Sequence, residues 1–173
     1  KKIKVISKDN KSDNGEASTI STNLATQSKV NAILGPATSG ATAAAAPNAN
    51  DAAVPLVTPS GTQDNLTYSK GKVQDYIFRT TFQDSFQGKI IAKYATDNLK
   101  AKKVALYYDK SSDYAQGIAD AFKKAYKGKI TVEDTFQAKD QDFQAALTKF
   151  KNKDFDAIVI PGYYTETGLI TKQ

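Results

Sequence analysis

Apolar, β-rich runs alternate with helix-period stretches from one end of this chain to the other, and that alternation restricts the fold more than any other feature. KIKVIS (3–8), VNAILG (30–35), VPLVTPS (54–60), YIFRTTF (76–82), KKVALYYD (102–109), KITVEDTF (129–136) and FDAIVIPG (155–162) read as strands. Between them, GEASTISTNLATQ (15–27), the alanine-rich 40–53, SFQGKIIAKYATDNL (85–99), DYAQGIADAFKKAY (113–126) and DFQAALTKFKN (142–152) read as helices, and YTETGLITKQ opens another. Ile20, Leu24 and Ala25 share a face of the first helix. Ile90, Ile91, Tyr94 and Leu99 are helically spaced in 85–99, and Ile118, Ala121, Phe122 and Ala125 point inward from 113–126. Pro47 removes one hydrogen bond, so it is expected to bend its helix or to start its regular part. GTQDNLTYSKGK (61–72) is expected to be loop. Strands and helices alternating at this spacing predict an α/β fold of parallel βαβ units, in two sets that divide near residues 79–85.

Several functions are excluded by what is missing. Cys, His, Met and Trp are absent. Without Cys or His, a Ser-His or Cys-His nucleophile pair is impossible and a structural zinc site is not expected. No metal and no cofactor is expected. The net charge of +6 is spread evenly: residues 1–79 carry nine Lys/Arg against six Asp/Glu, and residues 80–173 carry fifteen against twelve. Nucleic-acid binders concentrate charge on a patch, so no nucleic-acid partner is expected. The densest basic stretch, KKAYKGK (123–129), reads as the solvated end of a helix. The missing starting methionine predicts that the chain is a piece of a longer product.

GPATSGAT (35–42) stands between a strand and a helix, where phosphate loops are built. The pattern G-x-x-x-x-G-K-[ST] needs a lysine, and Ala41 stands in its place. A triphosphate would lack its main counter-ion there. A smaller anion would still find backbone N–H groups at a helix start, with the hydroxyls of Thr38, Ser39 and Thr42. Ser39 acting only as a helix cap is the plainer alternative.

Ligands of open α/β sheets bind beyond the carboxyl ends of the strands. Those ends lead into GPATSG, TPSGTQ, YDKSSDY and PGYYTETG. The first half of the chain thus supplies small hydroxyls and glycines. The second supplies Tyr108, Tyr114, Tyr163 and Tyr164, suited to covering an apolar body. Each has a structural alternative. Ser60 and Thr62 would stabilise the turn after Pro59, one of Tyr107 and Tyr108 belongs to the core, and Asp109 and Asp113 would start a helix.

The succession VNAILGPATSGATAAAAP, VPLVTPSGTQDNLT, YIFRTTFQDSFQGKIIAKY, VALYYDKSSDYAQGIADAF and DFQAALTKFKNKDFDAIVIPGYYTETG closely resembles the substrate-binding proteins of branched-chain amino-acid ABC transporters. It is most similar to the lipid-anchored forms of Gram-positive bacteria. The resemblance implies the type 1 periplasmic-binding-protein fold, two doubly wound, Rossmann-like lobes with parallel sheets. Residues 1–79 would be part of the first lobe and 80–173 part of the second, with parts of both lobes lying outside the chain. It also implies a binding protein with no chemistry of its own, located on the cell surface or in the periplasm. Such a protein captures leucine, isoleucine or valine and delivers it to a membrane permease.

The resemblance assigns ligand-site positions. Ser39 would hold the ligand carboxylate, Ser60 would offer its backbone, and Thr62 would serve the ammonium and carboxylate. Tyr114 would line the cleft and Tyr163 would close over the ligand. Asp84 would face the cleft or serve only the crossover between lobes. A sensor domain of the same fold, binding another amino acid, an amide or a small carboxylate, is the alternative. A nucleotide-using enzyme lacks both the loop lysine and a G-x-G-x-x-G fingerprint. A sugar binder would lack Trp for stacking.

Overall fold

The structure, a computed structural model, describes residues 2–173. These form two units, the first ending at Thr81 and the second running Phe82–Gln173.

In the first unit, α1 (Asn14–Thr22) is capped by Asp13, whose carboxylate accepts from the Glu16 N–H at 2.7 Å, and it continues as a π-helical turn, Asn23–Gln27. Then come β1 (Ile33–Leu34), α2 (Ser39–Asp51), β2 (Leu56–Thr58), a hairpin of β3 (Tyr68–Ser69) and β4 (Lys72–Val73), and β5 (Ile77–Arg79). β1, β2 and β5 form a parallel sheet in that order. Ala45, Ala46 and Ala49 of α2 pack on Ile33, Leu56 and Ile77. Small side chains let α1 approach α2 closely enough for Ser21 Oγ to donate to the Ala45 carbonyl at 2.9 Å. Pro47 stays inside α2 without ending it, with its ring on the exposed face.

Several expectations fail here for physical reasons, and the strands read over 30–35 and 76–82 likewise shorten to Ile33–Leu34 and Ile77–Arg79. KIKVIS is not a strand: residues 2–8 are irregular, with Ile3 92% and Val5 81% exposed. A groove of about 890 Å³ lies between this segment and β1, so the segment has no ladder to join. β-propensity without a pairing partner makes no strand. The strand expected over 54–60 shrinks to Leu56–Thr58, between Pro55 and Pro59, which have no N–H to donate. The expected loop over 61–72 contains the hairpin, whose turn places Lys70 (φ 49°) and Gly71 (φ 79°) in the left-handed region that a type I′ turn requires.

The second unit contains α3 (Asp84–Asp97), β6 (Lys103–Asp109), α4 (Asp113–Ala125), β7 (Lys129–Phe136), α5 (Gln144–Lys151), β8 (Ala157–Val159) and α6 (Tyr164–Lys172). The sheet is parallel, in the order β7-β6-β8. Its central strand β6 is buried on both faces, as parallel sheets require. Val104 and Leu106 pack against Ala92, Ala95, Ala119 and Phe122 on one side. On the other, Ala105 and Tyr107 pack against Phe136, Phe143 and Phe150. Tyr107 is thus the core member of the tyrosine pair, with its ring 5.0 Å from Phe136 and 5.1 Å from Phe150.

α4 buries Ile118, Ala121 and Phe122 as its pattern predicts. α3 does not follow its larger residues. Ile90, Tyr94 and Leu99 are about half exposed, and Gly88, Ala92 and Ala95 form the buried face. The reason is close helix packing: a β-carbon on Gly88 would lie 2.5 Å from Ala121 Cβ and 2.8 Å from the Ile118 carbonyl.

Candidate functional site

In the first unit the candidate residues gather where α2 begins. Thr38 occupies the N-cap position without a side-chain cap bond, so its hydroxyl does not cap the N–H groups of the first turn. Ser39 is buried, but it does not cap the helix. Its Oγ accepts from the backbone N–H of Thr62 at 3.1 Å and of Gln63 at 3.2 Å, joining the start of α2 to the turn after β2. Thr62 is buried beside it. Ser60 is exposed, and its hydroxyl donates to the Ala37 carbonyl at 2.7 Å, a second tie between the two turns.

Thr42 is not available to an anion. It is fully buried, and its hydroxyl lies 2.8 Å from the Thr38 carbonyl, 3.2 Å from that of Pro36 and 3.2 Å from Thr58 Oγ1. Thr58 in turn donates to the Pro36 carbonyl at 2.7 Å and accepts from the Gly61 N–H at 3.0 Å. Gly61 is required here, since a β-carbon would meet Leu66 Cδ1 and Thr58 Oγ1, each at 2.8 Å.

Arg79 completes this frame and was not singled out from the sequence. Its guanidinium donates to the carbonyls of Thr62 (3.4 Å), Gln63 (2.8 Å) and Asp64 (3.0 Å). The signal that marks it is composition: it is the only arginine in a chain with many lysines.

In the second unit, Tyr114 at the start of α4 and Tyr163 before α6 stack, with ring centroids 5.5 Å apart and planes at 24°. Gln87 of α3 donates to Tyr114 Oη at 3.5 Å. Burial pushes the Tyr163 phenol above its ordinary pKa, a hydrogen bond with Ser112 acts the other way, and the nearby Tyr114, Asp84 and Asp109 raise it further. The phenol therefore stays protonated at neutral pH. Asp84 opens α3, is buried, and rests on α4, where a β-carbon on Gly117 would lie 2.9 Å from its Oδ2.

The other tyrosines separate from this pair. Tyr108 is covered by Lys123, whose ammonium stands 5.4 Å from its ring centroid, and Tyr164 is 89% exposed. Asp109 does not start a helix. It ends β6, buried, and accepts from the Ser111 N–H at 2.8 Å and hydroxyl at 2.6 Å, while Ser112 caps α4. Glu166, also missed from sequence, is buried and accepts from the Lys139 N–H at 2.8 Å.

Among the described residues no cluster of His, Cys, Asp and Glu is arranged to hold a metal, and no helix is long and apolar enough to cross a membrane. What the arrangement offers is a helix start with a fixed hydroxyl in one unit and a stacked phenol pair in the other.

The chain belongs to the periplasmic binding protein family, whose model matches residues 1–173. It is similar to the branched-chain amino-acid transporter substrate-binding protein LivJ of Streptococcus pneumoniae, solved in complex with isoleucine. The identity is 63%, the TM-score 0.91, and the match covers 96% of this chain and 47% of that one. It is also similar to the leucine-binding protein LivK of Thermotoga maritima, with 34% identity, a TM-score of 0.89, and 95% and 47% of the two chains covered. A Leu/Ile/Val-binding protein homologue of Brucella melitensis is 35% identical over 144 residues, 82% of this chain and 38% of its own. The chain thus spans less than half the length of these relatives.

Proposed function

We propose that this chain is part of the solute-binding component of an ABC transporter, which captures aliphatic, branched-chain amino acids and passes them to a membrane permease. The observation that carries the reading is the 63% identity, over nearly the whole chain, to a protein whose structure holds isoleucine. The geometry supports it. Ser39 and the α2 start offer donors to a carboxylate, and Thr62 adds a hydroxyl beside them. Tyr114 and Tyr163 offer an aromatic wall, and Asp84 faces the cleft or serves the crossover between lobes. Ser60 acts through its backbone. The two units act as parts of two lobes that close on the ligand, a population shift driven by contacts from both. The protein works without chemistry of its own, outside the cytoplasmic membrane, held there by a lipid anchor or free in a periplasm.

Calorimetric titration of the full-length protein with leucine, isoleucine, valine, alanine and a sugar tests this. Binding of the aliphatic amino acids alone is the expected result, with leucine, isoleucine and valine separated by no more than about 1–3 kcal/mol, the worth of a methylene in an apolar pocket. Heat from the sugar alone, or from none of them, would overturn it. Ser39→Ala should weaken isoleucine binding by about 1–3 kcal/mol through loss of a charge-assisted hydrogen bond. It should also lower the unfolding midpoint, because the Thr62 and Gln63 N–H groups lose their acceptor.

A further inference from the structure

We propose that Arg79 is a positioning residue for carboxylate recognition, acting on the ligand through the Thr62–Gln63 peptide and Ser39. The inference rests on the reading above, that Ser39 meets the ligand carboxylate. It starts from the lone pairs of one hydroxyl. A serine oxygen has two acceptor sites and one O–H donor. In Ser39 the N–H groups of Thr62 and Gln63 fill both acceptor sites. Its proton is then the only part left to offer, so any ligand atom in contact must be an acceptor. Ser39 is thereby fixed as a donor, which suits a carboxylate and refuses an ammonium.

Arg79 is what holds those N–H groups in place. The Thr62 carbonyl and the Gln63 N–H belong to the same peptide group. One side of that peptide accepts from Arg79 Nη1, and the other donates to Ser39 Oγ. The same nitrogen reaches the Gln63 carbonyl, and Nη2 reaches that of Asp64, so three successive carbonyls are turned toward one guanidinium. The positive charge polarises the peptide, which strengthens its N–H as a donor and in turn the Ser39 O–H, since chained hydrogen bonds reinforce one another. A formal charge thus assists carboxylate binding at one remove, without a cation in contact with the ligand. Lysine cannot substitute, because its ammonium has no rigid fork to collect several carbonyls. The chain uses lysine for every other basic position and places its one arginine here.

The test uses the full-length protein with isoleucine and isoleucinamide as probes, in the wild type, Arg79→Lys, Ser39→Ala and the double variant. Arg79→Lys is expected to weaken isoleucine about tenfold, the loss of one charge-assisted contact, and to weaken isoleucinamide less. In the Ser39→Ala background the same change should alter isoleucine affinity by no more than about twofold, since its route to the ligand is gone. An equal loss with and without Ser39, or no loss at all, would overturn the proposal. Thr80→Val, which removes only the bond to the Pro59 carbonyl, is the control and should leave the isoleucine-to-isoleucinamide ratio unchanged. Arg79→Gln replaces the lysine variant if that one does not fold. Should the wild type bind no aliphatic amino acid, the reading above fails on its own. A crystal structure of Arg79→Lys then decides: Ser39 Oγ parted from the Gln63 N–H upholds the role of Arg79, and both bonds intact overturns it.

Discussion

Gly61 illustrates how tightly the first-unit turn is built. Its Cα faces Leu66 and Thr58, and Thr58 is itself tied to Thr42 and the Pro36 carbonyl, so that hydroxyl cannot yield without breaking those bonds. Gly61→Ala should therefore destabilise the protein by about 1–3 kcal/mol, the usual cost of overpacking, which denaturant unfolding of the variant would measure. Tyr107 makes a pH prediction of a different kind. Burial, with smaller contributions from the charges of Asp134 and Asp140, pushes its phenol from an ordinary 10.0 up to about 12. The folded protein keeps this proton in a range where the unfolded chain has lost it. Stability from this group is therefore complete below about pH 10 and is lost as the pH rises toward about 12. Unfolding midpoints measured across that window should fall more steeply in the wild type than in Tyr107→Phe. Equal slopes would remove Tyr107 as the cause.

At the scale of the elements, legibility followed the source of each element's order. β7 was readable to the residue, because KITVEDTF carries β-branched residues and finds a full-length partner in β6. KIKVIS has a similar composition and no partner, so its pattern alone misled. The buried side of α4 could be read from its large residues, while that of α3 could not, since glycine and alanine form its buried face and Phe86, Ile90 and Tyr94 face out. The same distinction runs through the candidate site. Strand-end placement offered Tyr108, Tyr114, Tyr163 and Tyr164 alike, and it was the resemblance that singled out Ser39, Thr62, Tyr114 and Tyr163; Ser39 bonds the Thr62 N–H, and Tyr114 stacks on Tyr163. Thr42 was misjudged because a hydroxyl in a turn reads alike whether it faces solvent or a carbonyl. Arg79 was passed over because it ends a strand and acts on backbone, which leaves no motif.

For the whole molecule, the exposed apolar surface of the second unit is the dominant physical fact. Phe82, Phe86, Ile90 and Tyr94 recur every four residues, each about half exposed. Beside them an apolar groove of about 330 Å³, lined by Ile91, Leu99, Ile158 and Ile160 among others, runs along β8. Soluble chains seldom leave a contiguous stripe of this kind open to water. The 173-residue chain on its own should therefore self-associate as its concentration rises, with Ile90→Lys shifting it toward monomer in sedimentation measurements. A chain that stays monomeric at every concentration would contradict this. The relatives it resembles are more than twice as long, so the experiment separates a property of this stretch from one of the longer proteins.

The β3–β4 hairpin looks different when seen as a place to splice. Its ends are secured locally, by Tyr68 Oη donating to the Gly71 carbonyl at 2.7 Å and Gln74 Nε2 to the Leu66 carbonyl at 2.9 Å. Its strands are exposed, and its tip carries nothing that the sheet or the hydroxyl frame depends on. Foreign sequence introduced between Lys70 and Gly71 would lengthen a loop whose closure cost grows only slowly with length. The tip is thus an insertion port in the same connection as Thr62 and Gln63, where a fluorescent reporter would be joined in sequence to the backbone that Ser39 and Arg79 hold between them.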